Sequence, residues 1–515
     1  MSDNSTTTYM NSYLLLIFFA CLTVRWCVSI NSYSGAGKPP MYGDYEAQRH
    51  WMEVTFNLPV QKWYQNSSDN DLQYWGLDYP PLTAYHSWLC GYVADKINPD
   101  WVALQSSRGY ESDTHKLFMR YTVMIVDVIL YLPAILLFYL FAIKGKTIGE
   151  RLFLTSIVLL YPGLILIDHG HFQYNNASLG LTVFAVTFVS LGHDLWGSFF
   201  FVCALNYKQM ELYHSVPFFC FLLGKCIKSS EENGLWKLIK IGSVVVLTFG
   251  LCWLPFLRDT DVALQVLRRL FPFGRGLFED KVSNIWCVLD VLFKLKRNIA
   301  QDHLVLLSLA TTIMCLLPSA FHLLLNPTIE KFKYSLVNCS LVFFLFSYQV
   351  HEKSILIPAL SVCLVFHNQP FLASWFLLIS TFSMFPLLMK DDLVLPYFAL
   401  TLLFITAVVF YLVLFEHQST STFLILLGML SVCGSVSIST VAVTIPAPPR
   451  YPDIYPVLIS GYSCGHFLFF LLYFYYAQLS CEFDGNDTKS NKQAKLKVPK
   501  KKQKYQHKKK GKKRD

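Results

Sequence analysis

Apolar segments long enough to cross a bilayer recur along nearly the whole chain, and this limits the fold more than any other feature. A hydrocarbon core of about 30 Å takes about 20 apolar residues of helix, and backbone polar groups inside it must be satisfied within the segment itself. Hydropathy marks candidate spans at 12–30, 118–142, 151–167, 177–192, 195–206, 214–227, 238–257, 303–325, 335–349, 354–366, 371–389, 394–415, 422–445 and 456–478. The expectation is an all-α polytopic membrane protein with about fourteen transmembrane helices, of which 195–206, 214–227 and 354–366 are short for a full crossing. Only 15% of the 515 residues are charged, where a soluble chain carries roughly a quarter. No soluble domain of ordinary size is left.

The net charge of +9 is unevenly placed. Residues 489–515 hold thirteen Lys and one Arg against one acid, so this tail carries +13 and the remainder −4. A near-neutral body excludes nucleic acid as a partner, and a Lys-rich run beyond a span marks a cytosolic segment that also attracts anionic membrane lipids. The loops sort the same way. Lys144, Lys146 and Arg151, then Lys225, Lys228, Lys237 and Lys240, then Lys331 and Lys333 fall on the side of the tail. Residues 31–117, 168–176, 207–213, 258–302, 349–353, 390–393 and 446–455 fall on the other. Asn66-Ser67-Ser68, an N-glycosylation sequon, lies there too. Four regions result: 1–30, an N-terminal segment and first span; 31–117, a large first lumenal loop; 118–478, the bundle with its loops; and 479–515, the tail. An even number of crossings puts both termini in the cytosol.

The far side carries the chemistry. The stretch from Tyr45 to Asn57 reads as an amphipathic helix lying on the membrane, with Trp51, Trp63 and Tyr64 as interfacial anchors. Asp44 stands where an N-cap belongs, so spacing leaves two readings open, a cap or a catalytic carboxylate. Asp78, in Tyr74–Leu82 with its Pro80-Pro81 turn, is a second candidate among aromatics. Asp127 lies within a span, where a carboxylate is costly unless it faces the bundle interior. Asp168-His169-Gly170-His171 invites a metal reading, against which stands a polar hairpin bonded to itself; no second ligand cluster or paired zinc spacing supports the metal. Cys90 and Cys287 are left open as a pair. Lys208, Arg275, Lys281 and Lys353 run against the positive-inside bias, which either ordinary ion pairing or a bound anion explains.

The motifs GDYEAQRHW, TFNLPVQKWY, LQYWGLDYPPLTAYHS, DHGHFQYN, NYKQM, FPFGRGLFEDKVSNIW and VHEK together resemble the dolichyl-phosphate-glucose-dependent α-1,3-glucosyltransferases of the endoplasmic reticulum, in the GT-C superfamily. The resemblance runs from about residue 40 to 480. Its first-glucose branch is favoured, because the second-glucose branch reads nearer to DFE-x-H-R-N-W where this chain has Asp44-Tyr45-Glu46-Ala47-Gln48-Arg49-His50-Trp51. It implies a GT-C fold, a lumenal site and inversion at the glucose carbon. The donor is dolichyl phosphate glucose and the acceptor a dolichyl-diphosphate oligosaccharide, Man9GlcNAc2. Asp44 then becomes the expected general base, with Asp78 behind it. His351, Lys353, Arg275 and Lys208 become the donor-phosphate ligands, supported by Glu352, His169 and His171. The leaving group is an anion that side chains can hold, so no metal or cofactor is expected. A transporter of lipid-linked sugars is the alternative of another class; its polar groups would sit at mid-membrane depth.

Overall fold

Seven helices combine the length and apolar composition of membrane spans: Ser12–Ser29, Asp113–Ala142, Gly234–Trp253, Gln301–Leu325, Val394–Phe415, Thr422–Thr444 and Ile454–Ser480. The pair Ile148–Leu159 and Pro162–Phe172, bent by 43°, is an eighth if counted as one span. The computed structural model describes residues 2–229, 233–271, 282–415 and 421–481, with side chains from residue 12 onward. Every regular element among them is helical, so the chain is an all-α multi-pass membrane protein. Met1–Leu479 forms one unit and Ser480–Asp515 a second. Arg275, Lys281 and the basic tail lie outside the described residues.

The expectation of about fourteen crossings is not met by this measure, for a physical reason. The other segments are helices, but short: Asp194–Tyr207 has 14 residues, Ser215–Ile227 has 13 and Leu356–Val365 has 10. Fourteen residues of α-helix span about 21 Å, short of the hydrocarbon core. Ile329–Phe346 is long enough but carries Glu330, Lys331 and Lys333. Leu356–Val365 and Ile329–Phe346 are also inner helices. All ten residues of Leu356–Val365 are buried, whereas Gly234–Trp253 turns Val246 and Leu251 outward, about 70% exposed.

Two π-helical stretches, Asp127–Tyr131 and Leu166–Phe172, interrupt the second span and the bent pair. They face each other through one buried ion cluster. Asp127 Oδ2 accepts from Arg25 Nε at 2.6 Å and meets His169 Nε2 at 2.5 Å, while Arg25 Nη1 donates to the Leu159 carbonyl at 3.0 Å. Asp127 thus faces the interior as expected, and its partner is the arginine of the first span.

Residues 31–117 depart from expectation. Asp44–Asn57 is a helix, but Tyr45–Thr55 are all buried, so it is enclosed by protein on every side and not laid on a lipid surface. Trp51, Trp63 and Tyr64 are core residues at 1–5% exposure. The helix holds its own buried charges: Arg49 bonds both oxygens of Glu46 at 2.7 and 2.8 Å, Glu53 at 2.7 Å and Ser107 at 2.6 Å. The helix Pro81–Ile97 packs on it closely enough that a Cβ at Gly91 would lie 2.7 Å from the Met52 carbonyl. No disulfide joins Cys90 to Cys287.

Arg25→Leu leaves Asp127 buried beside His169 without its guanidinium, which should cost about 3–5 kcal/mol. Thermal unfolding in detergent reads this as a lowered midpoint, and adding Asp127→Leu should recover much of the loss. A single variant as stable as the parent would show that the pair contributes nothing net.

Candidate active site

Asp44 owes its position to the two residues that flank it in space. It is the first residue of its helix, and Gly43 precedes it with φ 105°, a conformation that favours glycine. A Cβ on Gly43 would come within 2.7 Å of the Ser34 hydroxyl. That hydroxyl accepts the Asp44 amide at 3.2 Å, and the Ser34 amide donates to the His171 carbonyl at 3.0 Å. One serine therefore ties the backbones of Asp44 and His171 together. The capping reading of Asp44 is corrected: Gly43 holds the cap position, and the Asp44 carboxylate is turned to other partners.

Those partners come from two segments, Leu166–Phe172 with Gln173 at its end and the turn that carries Lys353. Asp44 Oδ2 accepts from Lys353 Nζ and from Gln173 Nε2 at 2.5 Å, and meets His171 Nε2 at 3.0 Å. Burial by itself raises the acid's pKa, but the adjacent Lys353 charge and then the His171 hydrogen bond outweigh it and hold Asp44 well below the usual carboxylate range. Burial likewise acts to lower Lys353, and Asp44 and then Glu352 outweigh it, so the ammonium titrates above its ordinary value. Both remain partly open to solvent, at 23% and 17%. Lys353 belongs to the turn Glu352–Ile355, in the break between Ile329–Phe346 and Leu356–Val365, where Gln349 takes a left-handed φ of 57°.

The ion pair opens on a cavity of about 470 Å³, large enough for a small polar ligand. Asp44, Asp78, Lys208, His351 and Lys353 all line it, so five of the residues singled out from the sequence share one space. Trp51, Trp75 and Tyr79 line it as well. Lys208 Nζ donates to Asn175 Oδ1 at 2.5 Å and lies 5.2 Å from the Tyr79 ring centroid. Burial brings Lys208 down to about 8, against the opposing pull of Asp168.

Other expectations are redistributed. Asp168, His169 and His171 do not converge. Asp168 accepts the amides of Asn175 and Asn176 at the start of Asn175–Ser190, at 3.2 and 2.7 Å. His169 turns to Asp127, and His171 bridges Asp44 and Asp391. Among the described residues no three His, Cys, Asp or Glu side chains form a metal-binding group. Lys353 bonds Asp44, and the neighbouring Glu352 acts on it through its charge. Four contributors carry no assignment from sequence: Gln173, Asn175, Arg269 and Asp391. Arg269 lines the cavity and donates to the Gly76 and Leu77 carbonyls at 2.6 and 3.1 Å, holding the loop that carries Asp78. Its signal was the same one that marked Lys208, a basic residue in a loop expected on the far side.

A helical membrane bundle thus holds a carboxylate and several cations around one polar cavity. Residues 21–473 match the model of the ALG6, ALG8 glycosyltransferase family. The relatives include dolichyl pyrophosphate Man9GlcNAc2 alpha-1,3-glucosyltransferase of Gallus gallus, 53% identical over 486 residues that cover 90% of this chain and 96% of that one. The protein of that name from Rattus norvegicus is 52% identical with the same coverage. A probable one from Arabidopsis thaliana is 43% identical over 95% of this chain and 93% of its own. The chain belongs to the ALG6, ALG8 glycosyltransferase family, and it is a glycosyltransferase.

Gly43→Ala forces a Cβ into a left-handed backbone against Ser34, a strain of about 1–3 kcal/mol. Relief by movement would carry Asp44 with it, and a shift near 1 Å lowers turnover on the order of 10²-fold. A rate assay beside a melting curve should show turnover falling far more than stability; unchanged turnover would show that Asp44 tolerates displacement.

Proposed function

We propose that the protein transfers the first glucose from dolichyl phosphate glucose to Man9GlcNAc2-PP-dolichol in α-1,3 linkage, with inversion, during N-glycan assembly. The observation that carries this reading is the Asp44–Lys353 pair at the wall of a cavity also lined by Lys208 and His351. A β-linked donor becomes an α-linked product in one in-line displacement. The acceptor hydroxyl oxygen bonds to the glucose C1 as the bond from C1 to the phosphate oxygen breaks. The hydroxyl proton passes to Asp44, the general base, with Asp78 the alternative on the same wall. Dolichyl phosphate leaves with its charge going from one negative toward two. Lys353, His351 and Lys208 gain value as that charge develops, and Arg275 is a further candidate.

An Asp44 bound to an ammonium is a weak base. Donor phosphate competes for Lys353, and as the lysine turns to it the Asp44 carboxylate gains basicity where the acceptor arrives. Binding the donor thereby prepares the base. We place the protein in the endoplasmic reticulum membrane, its site lumenal and both termini cytosolic, with fourteen GT-C crossings once the short inner helices are counted. The exposed Asn66 and the basic loops of the opposite side support that sidedness.

Asp44→Asn keeps the size of the side chain and removes the base, so turnover should fall by roughly 10²–10⁴ while donor binding persists. The assay uses purified protein with acceptors bearing zero or one glucose. Transfer only to the glucosylated acceptor would assign the second-glucose reaction, and none to either would favour a transporter.

The cations around the cavity suffice to hold a phosphate, so transfer is proposed to be metal-independent, and activity should persist in excess EDTA. Loss on chelation with rescue by one divalent ion would overturn this.

A further inference from the structure

His171 reaches Asp44 with one ring nitrogen and a second carboxylate with the other. Its Nδ1 lies 2.5 Å from Asp391 Oδ2, and its Nε2 lies 3.0 Å from Asp44 and 3.2 Å from Lys353 Nζ. His171 and Asp391 are 2% and 5% exposed, and neither lines the cavity. Asp391 sits in the turn between Phe385–Lys390 and Val394–Phe415, before Asp392 at φ 57°. That turn is fastened to the site from two sides. Lys38 Nζ donates to the Lys390 carbonyl at 2.6 Å, and Leu393 packs on Gly170, where a Cβ would lie 2.7 Å from it. The site therefore holds a carboxylate–imidazole–carboxylate row, one end buried and the other at the substrate.

The row has two hydrogen-bonding states. While Lys353 is close, Nε2 is shared between a cation and a carboxylate. An ionised carboxylate only accepts, so once Lys353 has moved away Nε2 bonds Asp44 by donating, with Nδ1–H held by Asp391. We propose that Asp391 is a positioning residue for glycosyl transfer: acting through His171, it keeps the Asp44 carboxylate aimed at the acceptor when Lys353 turns to the donor phosphate. This rests on the reading of Asp44 as the base. The charged groups around the row are Lys353 and Glu352 from the turn after Ile329–Phe346, Lys208 from the turn after Asp194–Tyr207, and Arg120 from Asp113–Val126.

Asp391→Asn removes the charge that lets His171 donate from both nitrogens. Expected is a kcat lowered roughly 10–100-fold with the donor KM within about twofold. The acid limb of kcat, which reports the donor-bound site, should move up by about one pH unit, since Asp44 loses a donor that favours its anion. Asp391→Glu keeps the charge, so its acid limb should stay where the parent's lies; this variant decides the matter if Asp391→Asn does not fold. An unmoved acid limb in folded Asp391→Asn, or a shifted one in Asp391→Glu, overturns the inference. Asp44→Asn is measured alongside. If it stays active, the base assignment itself fails; if it is inactive while Asp391→Asn keeps the parent profile, only the role of Asp391 falls.

Discussion

Asp44 and Lys353 are each expensive to take out of water, and in the substrate-free site each is compensated by the other. An ion stripped of solvent costs several kcal/mol unless a partner and further hydrogen bonds compensate it. Here the compensation is shared among Lys353, Gln173 and His171, which arrive on two segments and meet on a single carboxylate oxygen. The rest of the site follows from that meeting point. Ser34 must tie two backbones, Gly43 must lack a side chain, and the chain must break between Ile329–Phe346 and Leu356–Val365 to present Lys353.

Because one oxygen of Asp44 takes all three contacts, the carboxylate is fixed in direction at the wall of the cavity. Behind it, Arg49 with Glu46 and Glu53 makes the buried helix rigid through a network in which the polar groups satisfy one another. Tyr74 donates to Glu46 at 2.8 Å and Gln105 donates its amide to Glu53 at 2.7 Å. Most of the charged residues in the motif around Asp44 are therefore scaffold, and the first of them faces the cavity.

The helical class and most of the cavity wall were legible in the sequence. Apolar length marks spans directly, and a lysine in a loop expected on the far side is anomalous enough to notice, which is how Lys208 and Lys353 came forward. The environment of the Asp44 helix was not legible. Its aromatic residues read as membrane anchors because hydropathy cannot separate a lipid face from a protein core; Trp51 donates to the Trp75 carbonyl at 2.8 Å, a long-range contact with no local signature. Asp391 was equally hidden. It is one of two adjacent acids in a four-residue loop, and its meaning comes from His171, 220 positions away. The expected count of spans exceeds the number of long apolar helices for a related reason: a helix surrounded by other helices need not match the thickness of lipid.

The distance along the chain between Asp44 and Lys353, 309 residues, has a consequence for biogenesis. At about 5–20 residues per second, a ribosome needs roughly 15–60 s to deliver the lysine after the aspartate. Through that interval a nascent chain holds Asp44 with no ammonium partner and has neither the Leu356–Val365 helix nor the Asp391 turn. The reaction centre is thus closed by the last third of the polypeptide. A truncated product that ends before the break after Ile329–Phe346 therefore lacks Lys353 and the Asp391 turn, and its Asp44 has no ammonium partner.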